Sequence, residues 1–325
     1  MPDRLPIELL RSVLSFATPP AHTERTYVER QNTLQSCCLV CRTWRDLAQP
    51  LLWRVVFLKS SFQASRLQTA MREDSGRTLM EQTRTFGATA SDKFDDLPRL
   101  WCLFRRFRRA QKVLVRGFEH EVDAAELERH SELRELHLTC VGIFDLPFTL
   151  PTLTELTLII VEIARERVSI LFSSYTFPSL KALSITEMAN SADAGFFYPS
   201  MPARFEEQLE LLQVTGAPVS DALSVASRAA PFLYTLSASK MYGTLFELDA
   251  QCPPHLRLVA DASSEEGEDW GVIEAILAAC KEQGIDVLWH SFKPGEEPAI
   301  STQFWDYAKE RKEKRERAEQ ASEQG

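Results

Sequence analysis

A short leucine pattern that recurs along the middle of the chain constrains its fold more than any other feature. The pattern Leu-x-x-Leu-x-apolar starts at five positions spaced 20, 27, 29 and 24 residues apart, namely Leu133, Leu153, Leu180, Leu209 and Leu233. Alternating apolar side chains of this kind suit a short strand with one face in a core. Weaker copies start at Ala110 and Pro253. Each copy is therefore predicted to form one strand of a repeating structure.

The segments between the copies carry helical patterns of apolar residues, at Val168–Phe172, Ala222–Ala226 and Val272–Cys280. Gly284 is placed to cap the last of these helices. Strand, turn and helix at this period resemble a leucine-rich-repeat solenoid, although the asparagine or cysteine of well-formed repeats is missing. The alternative is an ordinary α/β domain with leucine-rich strands. We predict an α/β fold with a leucine-rich-repeat-like region over residues 57–292.

The first 56 residues contain three apolar segments at helical spacing. The first helix is predicted to start at Leu5-Pro6, with proline at its first position, and to end at Pro19-Pro20. Its apolar stripe is Ile7, Leu10, Val13, Leu14 and Ala17, widened by Leu9.

Residues 21–32 are polar and are predicted to form a loop. Thr33 and Thr43 are predicted to cap the second and third helices, and Pro50 to end the third. Three short helices bury too little surface for a robust fold of their own. Their apolar excess therefore indicates either a surface for a partner or a helical cap on the downstream domain.

Three sequence anchors in this region stand in the order of a known domain: Leu5-Pro6, then Leu39-Val40-Cys41-Arg42-Thr43-Trp44, then Leu52-Trp53. Residues 3–56 resemble an F-box on these anchors. The loop after the first helix is about a dozen residues longer than in a compact F-box, as in many fungal F-box proteins, and loops tolerate such insertions. The predicted domains are an F-box at 1–56, the repeat-like region, and a charged tail at 293–325 that is helical or disordered.

The resemblance implies docking onto the Skp adaptor, and through it onto the cullin, of a Skp–cullin–F-box ubiquitin ligase. It also implies a set of residues that either pack on the adaptor or hold the domain together, and these two roles are not separable by sequence. The set is Leu5, Pro6, Leu9, Leu10, Val13, Leu39, Val40, Trp44 and Leu51.

The strands offer a second candidate surface, because the residue between the two last apolar positions of each copy is expected to point outward. These residues are His137, Thr157, Ser184, Gln213 and Ser237. This row contains no arginine, so we predict that it does not recognise a phosphorylated target. A polar face that contacts only water is the alternative. The aromatic loop residues Phe196, Phe197 and Tyr198 are a further candidate for target binding.

Two other features carry weaker signals. Cys38-x-x-Cys41 has the spacing of a zinc pair, but no second pair follows, so no metal is predicted. Residues 99–112 hold six basic residues interleaved with Trp101, Phe104 and Phe107. Nucleic acid or an anionic membrane could bind such a stretch, but Leu97 and the aromatic residues share one face of a helix, which predicts a packed helix. An acidic tail of a target protein is its natural ligand if the stretch is functional.

Composition narrows the class of function. With 37 Lys+Arg against 46 Asp+Glu the formal net charge is −9, which disfavours general nucleic-acid binding. No glycine-rich phosphate loop, catalytic arrangement or membrane-spanning apolar run occurs, so no enzyme, cofactor or membrane partner is predicted. Seven cysteines and no signal peptide fit reduced thiols in the cytoplasm or nucleus.

The predicted function is a non-catalytic substrate receptor that holds an unidentified target protein. A scaffold that binds the adaptor without promoting ubiquitination is the alternative, and a hydrolase with a hidden site is a remote third.

Overall fold

The structure is a computed structural model, and the part of the chain it describes is discontinuous. It describes residues 6–18, 24–72, 80–89, 103–116, 121–122, 127–139, 142–143, 148–159, 175–186, 209–215, 235–238, 258–261 and 286–289, with the single residues Glu282 and Arg317. The chain divides into two compact units, Met1–Leu114 and Val115–Gly325. No helix within the described ranges is long and apolar enough to cross a membrane.

The first unit is mainly helical at its start. In chain order its elements are α1 (Ile7–Ala17), α2 (Glu24–Val40), α3 (Arg42–Arg54), β1 (Val55–Leu58), α4 (Ser61–Ala70) and β2 (Thr85–Thr89). Pro6 is the N-cap of α1 rather than its first helical residue, and its carbonyl oxygen accepts hydrogen bonds from the N–H groups of Leu9 and Leu10 at 3.0 and 3.2 Å. The helix ends at the extended residue Thr18, whose buried hydroxyl donates to the carbonyl of Leu14.

The loop predicted at residues 21–32 is wrong, because α2 already begins at Glu24. Polar contacts, rather than an apolar stripe, attach the first half of α2 to α3 and β1. The Phe57 N–H donates to the hydroxyl of Tyr27 at 3.2 Å, and Arg30 and Gln31 donate to backbone carbonyls of α3 and of the residue after it, Leu51 and Val55. Residues 24–32 of the predicted loop are therefore helical.

The predicted caps and the predicted end of the third helix are also wrong. Thr33 lies inside α2, where its hydroxyl donates to the Glu29 carbonyl at 2.9 Å, and Cys41 rather than Thr43 is the N-cap of α3. Pro50 lies inside α3. The helix continues beyond it because Leu51 and Leu52 pack against the buried core of the helices.

β1 and β2 pair in parallel, with Phe57 opposite Gly87. A Cβ atom on Gly87 would overlap the Phe57 ring, so only glycine lets the two strands approach with this aromatic between them. The Tyr27 ring of α2 also packs against Phe57, and the two ring centroids lie 5.7 Å apart. The Phe57 side chain of β1 therefore packs against both α2 and β2. The sequence patterns predicted neither β1 nor β2.

In the described part of the basic stretch Leu103 and Phe104 are helical, and two tight turns then lead into β3 (Lys112–Arg116). The N–H groups of Phe107 and Ala110 each bond to the carbonyl three residues earlier, at 2.9 Å. Phe104, Phe107 and Ala110 are buried as expected, while Trp101 and Leu97 lie outside the described residues. The predicted separation of aromatic and basic side chains is seen over residues 104–109, and the predicted helix does not continue beyond Phe104.

The second unit is built on parallel strands. They are β4 (Glu121–Val122), β5 (Glu135–Thr139), β6 (Gly142–Ile143), β7 (Glu155–Ile159), β8 (Ala182–Thr186), β9 (Leu211–Thr215), β10 (Thr235–Ala238), β11 (Leu258–Asp261) and β12 (Asp286–Trp289). β4 pairs with β6, and the order β5-β7-β8-β9-β10-β11-β12 forms the main parallel array of this unit.

The register of this array follows the leucine pattern. The second leucine of each copy stands opposite the second leucine of the next, in the ladder Leu136, Leu156, Leu183, Leu212 and Leu236, continued by Val259 and Val287. The strands predicted at the five copies and at Ala110 are confirmed. The copy predicted at Pro253 is three residues early, because Val259 rather than Leu256 pairs with Leu236.

A longer repeat becomes visible in the turns before the strands. In three copies an N–H···O bond joins the first leucine to a buried residue three positions earlier: Leu133 to His130, Leu153 to Leu150, and Leu180 to Phe177. The same turn joins Thr83 to Met80 before β2, where the Thr83 hydroxyl also donates to the Trp53 carbonyl at 2.8 Å. A polar residue at the leucine position concealed this copy in the sequence.

The helices predicted at 168–172, 222–226 and 272–280 lie outside the described residues, as does the tail apart from Arg317. The described fold is therefore a helical N-terminal region followed by a region of parallel strands.

Candidate docking surface on the N-terminal helices

The three N-terminal helices share one small core. Leu14, Leu34 and Ala48 contribute one fully buried side chain each from α1, α2 and α3. The half-buried residues packed against them are Cys37, Cys38, Trp44, Leu47, Leu51 and Leu52. This core fixes which face of each helix is turned inward and which apolar residues are left over.

α1 has apolar residues on two faces. Leu14 fills the core, whereas Leu9, Val13 and Phe16 are exposed and recur at i, i+4 and i+7, which places them on one stripe of the helix. Phe16 is 96% exposed, so its ring contributes almost nothing to the fold. An exposed stripe of large apolar side chains is costly in water and indicates a surface that is covered by a partner.

The end of α2 repeats this arrangement. Cys37 and Cys38 face the core, while the next two residues, Leu39 and Val40, are exposed, Leu39 to 83%. A one-residue connection through Cys41 starts α3, and the Arg45 guanidinium donates to the Cys38 carbonyl at 3.3 Å. The tight junction between α2 and α3 therefore holds both exposed side chains on ordered backbone.

We call the five exposed residues Leu9, Val13, Phe16, Leu39 and Val40 the docking surface. Burying a side chain of this size in an apolar interface contributes about 1.5–3 kcal/mol each. Two or three such anchors are enough to dominate the affinity of an interface.

The structure shows how exposed each of the described adaptor-binding candidates is. Of the predicted adaptor-binding residues, Pro6, Leu9, Val13, Leu39 and Val40 are exposed, and Leu10 is half-buried. Trp44 and Leu51 are half-buried and pack against the helical core, so they contribute to the fold of the domain. Leu5 lies outside the described residues.

The predicted adaptor-binding set did not include Phe16 or Ile7, two further exposed apolar residues of α1. The signal for Phe16 was present in its spacing, because Leu9, Val13 and Phe16 form a second apolar stripe beside the one that contains Leu10 and Leu14. A helix with two apolar stripes has one more than its own core needs.

The cysteine pair behaves as part of the packing. Burial raises the pKa of the Cys38 thiol, the neighbouring Cys37 adds to this rise, and Arg45 opposes it. The thiol therefore keeps its proton at neutral pH and acts as a small apolar side chain. In the part of the chain that the structure describes, no group of three or more His, Cys, Asp or Glu residues could hold a metal ion.

The outward row predicted on the strands is wrong for the three residues whose exposure is described. His137, Thr157 and Ser184 are buried. Their side chains point to the face opposite the leucines, and parallel sheets are commonly covered on both faces. Gln213 and Ser237 occupy the same position in the ladder, on β9 and β10. Phe196, Phe197 and Tyr198 lie outside the described residues.

Comparison with known proteins bears on the helical region. Residues 2–59 match the F-box-like family. The F-box-like domain thus contains α1, α2, α3 and β1, and the F-box predicted from the three sequence anchors is confirmed. All five residues of the docking surface lie within it. An F-box-like domain implies binding to a partner of Skp type. No curated protein matches the chain.

Proposed function

We propose that this chain is a non-catalytic substrate-recognition subunit of a Skp–cullin–F-box ubiquitin ligase. The observation that carries the proposal is the docking surface, a set of exposed apolar side chains on ordered helices inside the F-box-like domain. About half or more of each of these side chains is exposed in this chain, and a Skp adaptor would bury that surface.

The parallel-strand region is proposed to be a degenerate leucine-rich-repeat solenoid that holds a target protein. The repeat of buried turn and strand residues supports this assignment, because each repeat unit buries its apolar face only against its neighbours. The buried row of His137, Thr157 and Ser184 is a poor contact for a target. Target contacts are therefore proposed to lie on exposed side chains beside the strands.

The proposed mechanism is proximity. An adaptor bound at one end and a target bound elsewhere on the chain raise the effective concentration of target lysines near the ubiquitin-charged enzyme of the ligase. In this mechanism no side chain of the chain performs chemistry, so binding affinity and geometry set the rate of ubiquitin transfer.

Co-expression with a Skp adaptor and a cullin tests the proposal. The wild-type chain is expected to co-purify with both, and the complex to transfer ubiquitin to a protein captured with it. The double variant Leu9→Glu/Leu39→Glu should lose the adaptor while remaining folded, because glutamate preserves helix propensity but cannot be buried without a partner. The matched control is Phe62→Glu/Tyr175→Glu, which changes two exposed aromatic residues outside the F-box-like domain.

The outcomes separate the alternatives. Adaptor binding followed by ubiquitin transfer supports a substrate receptor, and adaptor binding without transfer would identify a scaffold. A folded wild-type chain that binds no adaptor would refute the proposal.

A further inference from the structure

The two turns before β3 present a dense positive charge. Residues 103–112 contain Arg105, Arg106, Arg108, Arg109 and Lys112 and no acidic residue, in a chain whose formal net charge is −9. All four arginines are exposed. We call the segment 103–110 the basic double turn.

The backbone beneath these arginines is fixed by the core. Phe107 stacks on Phe86 with ring centroids 4.9 Å apart, and Phe104 approaches Phe86 at 5.7 Å. The three-residue spacing of Phe104, Phe107 and Ala110 leaves two positions between successive buried residues, and both of these pairs are arginines. Each turn therefore projects one pair of arginines outward.

A fifth arginine, Arg84, holds the turns in place. The Arg84 guanidinium donates to the carbonyls of Glu81 and Arg109 at 3.1 and 3.3 Å, and the Arg84 carbonyl accepts from the N–H groups of Gln111 and Lys112 at 2.7 and 3.0 Å. The backbone that carries the four arginines is thus organised before any ligand binds, which lowers the entropy cost of binding.

The burial of the aromatic residues argues against two classes of anionic ligand, nucleic acid and membrane. Single-stranded nucleic acid needs exposed rings for base stacking, and a membrane surface needs exposed apolar side chains for insertion. Phe104 and Phe107 are 1% and 0% exposed, and the exposed residues of the double turn are all arginines. What remains on the surface is a set of guanidinium groups, which match carboxylates and phosphates of a peptide in geometry and charge.

We infer that the basic double turn binds an anionic peptide segment of a protein partner. This inference rests on the proposed function only in taking that partner to be the target, and the binding assay needs no adaptor. The anionic groups are aspartate and glutamate side chains or phosphoserines, two sources that the assay separates.

The test measures binding of fluorescent twelve-residue peptides to the full chain by anisotropy. The probes are an Asp/Glu peptide, its Asn/Gln counterpart and a phosphoserine version, with a twelve-nucleotide oligothymidylate and phosphatidylserine vesicles as competing classes. One variant replaces Arg105, Arg106, Arg108 and Arg109 by Gln. Its matched control replaces the exposed arginines Arg11, Arg42, Arg66 and Arg72 by Gln, which changes the net charge equally within the same unit.

The wild-type chain is expected to bind an anionic peptide and not the Asn/Gln peptide. The variant of the double turn should bind at least about tenfold more weakly and the control variant within about threefold, and the affinity should fall as salt rises from about 50 to 300 mM. An equal loss in both variants, no binding by the wild type, or tighter binding of the oligonucleotide or vesicles would overturn the inference. Retained adaptor binding by the double-turn variant keeps this outcome separate from that of the proposed function.

Discussion

Leu9 and Leu39 on the N-terminal helices are 51% and 83% exposed, whereas Leu136 and Leu156 on the parallel strands are 1% and 2% exposed. The same residue type is therefore used in two ways. Leucines of the strands stand in one ladder and fill a core, so folding explains why the leucine pattern recurs along the chain. Leucines of the docking surface leave half or more of their surface exposed, and a partner would explain their presence.

The largest effect that this comparison predicts is on stability in the strands. Leu156→Ala should lower the free energy of unfolding by about 2–5 kcal/mol, because it leaves a cavity in a fully buried ladder. Leu39→Ala, the same substitution on the docking surface, should change it by no more than about 0.5 kcal/mol. Urea denaturation of both variants checks this. Equal destabilisation would show that Leu39 supports the fold and would break the comparison.

A smaller loss is expected where α2, β1 and β2 meet. Gly87→Ala places a methyl group against the Phe57 ring and should cost about 1–3 kcal/mol of unfolding free energy. Trimming the ring should relieve this clash, so Gly87→Ala should cost less in a Phe57→Leu background than in the wild type. If thermal denaturation shows that Gly87→Ala costs the same unfolding free energy in both backgrounds, the Phe57 ring does not limit what fits at position 87.

The smallest effect depends on pH. Burial raises the pKa of the Tyr27 hydroxyl, and the hydrogen bond from the Phe57 N–H lowers it by less. Tyr27→Phe should cost about 0.5–1.5 kcal/mol at neutral pH by removing that hydrogen bond.

Above the ordinary tyrosine pKa of about 10, the unfolded chain loses the Tyr27 proton before the folded chain does, so stability is lost as pH rises through the raised value. The difference in unfolding free energy between the wild type and Tyr27→Phe should therefore become smaller as the pH rises above about 10. A difference that is constant from neutral to alkaline pH, in paired urea titrations, would argue against a buried phenol.

Sequence predicted the strands well because their signal is local. Each copy combines a period of two with a leucine at a fixed offset, and Leu136, Leu156 and Leu183 stand in register as that pattern requires. β2 was missed because its leucine position is Thr83, which satisfies its hydroxyl on the Trp53 carbonyl. A polar residue with a buried partner leaves no trace in an apolar pattern.

The helical errors have the same physical origin. The first half of α2 is attached through Tyr27, Arg30 and Gln31, which form specific hydrogen bonds but no apolar stripe. α3 passes Pro50 because the leucines that follow are packed in the core, and tertiary packing outweighs the local preference of proline.

The predicted adaptor-binding residues combine buried and exposed positions for a related reason. Motif positions record both folding and binding constraints, so Trp44 and Leu39 carried equal weight in the sequence. Only burial distinguishes them, and burial depends on the contacts of all three helices with the core around Leu14.

The affinity of the full chain for a purified Skp adaptor, compared between Phe16→Gln and Phe62→Gln, tests the central claim most directly. Both residues are exposed phenylalanines on helices, but only Phe16 lies in the docking surface and in the F-box-like domain. Calorimetric titration should show Phe16→Gln weakening the complex by at least about tenfold, the loss of one buried anchor, and Phe62→Gln changing the affinity by less than about threefold. Equal affinities for the two variants would contradict the assignment of the docking surface.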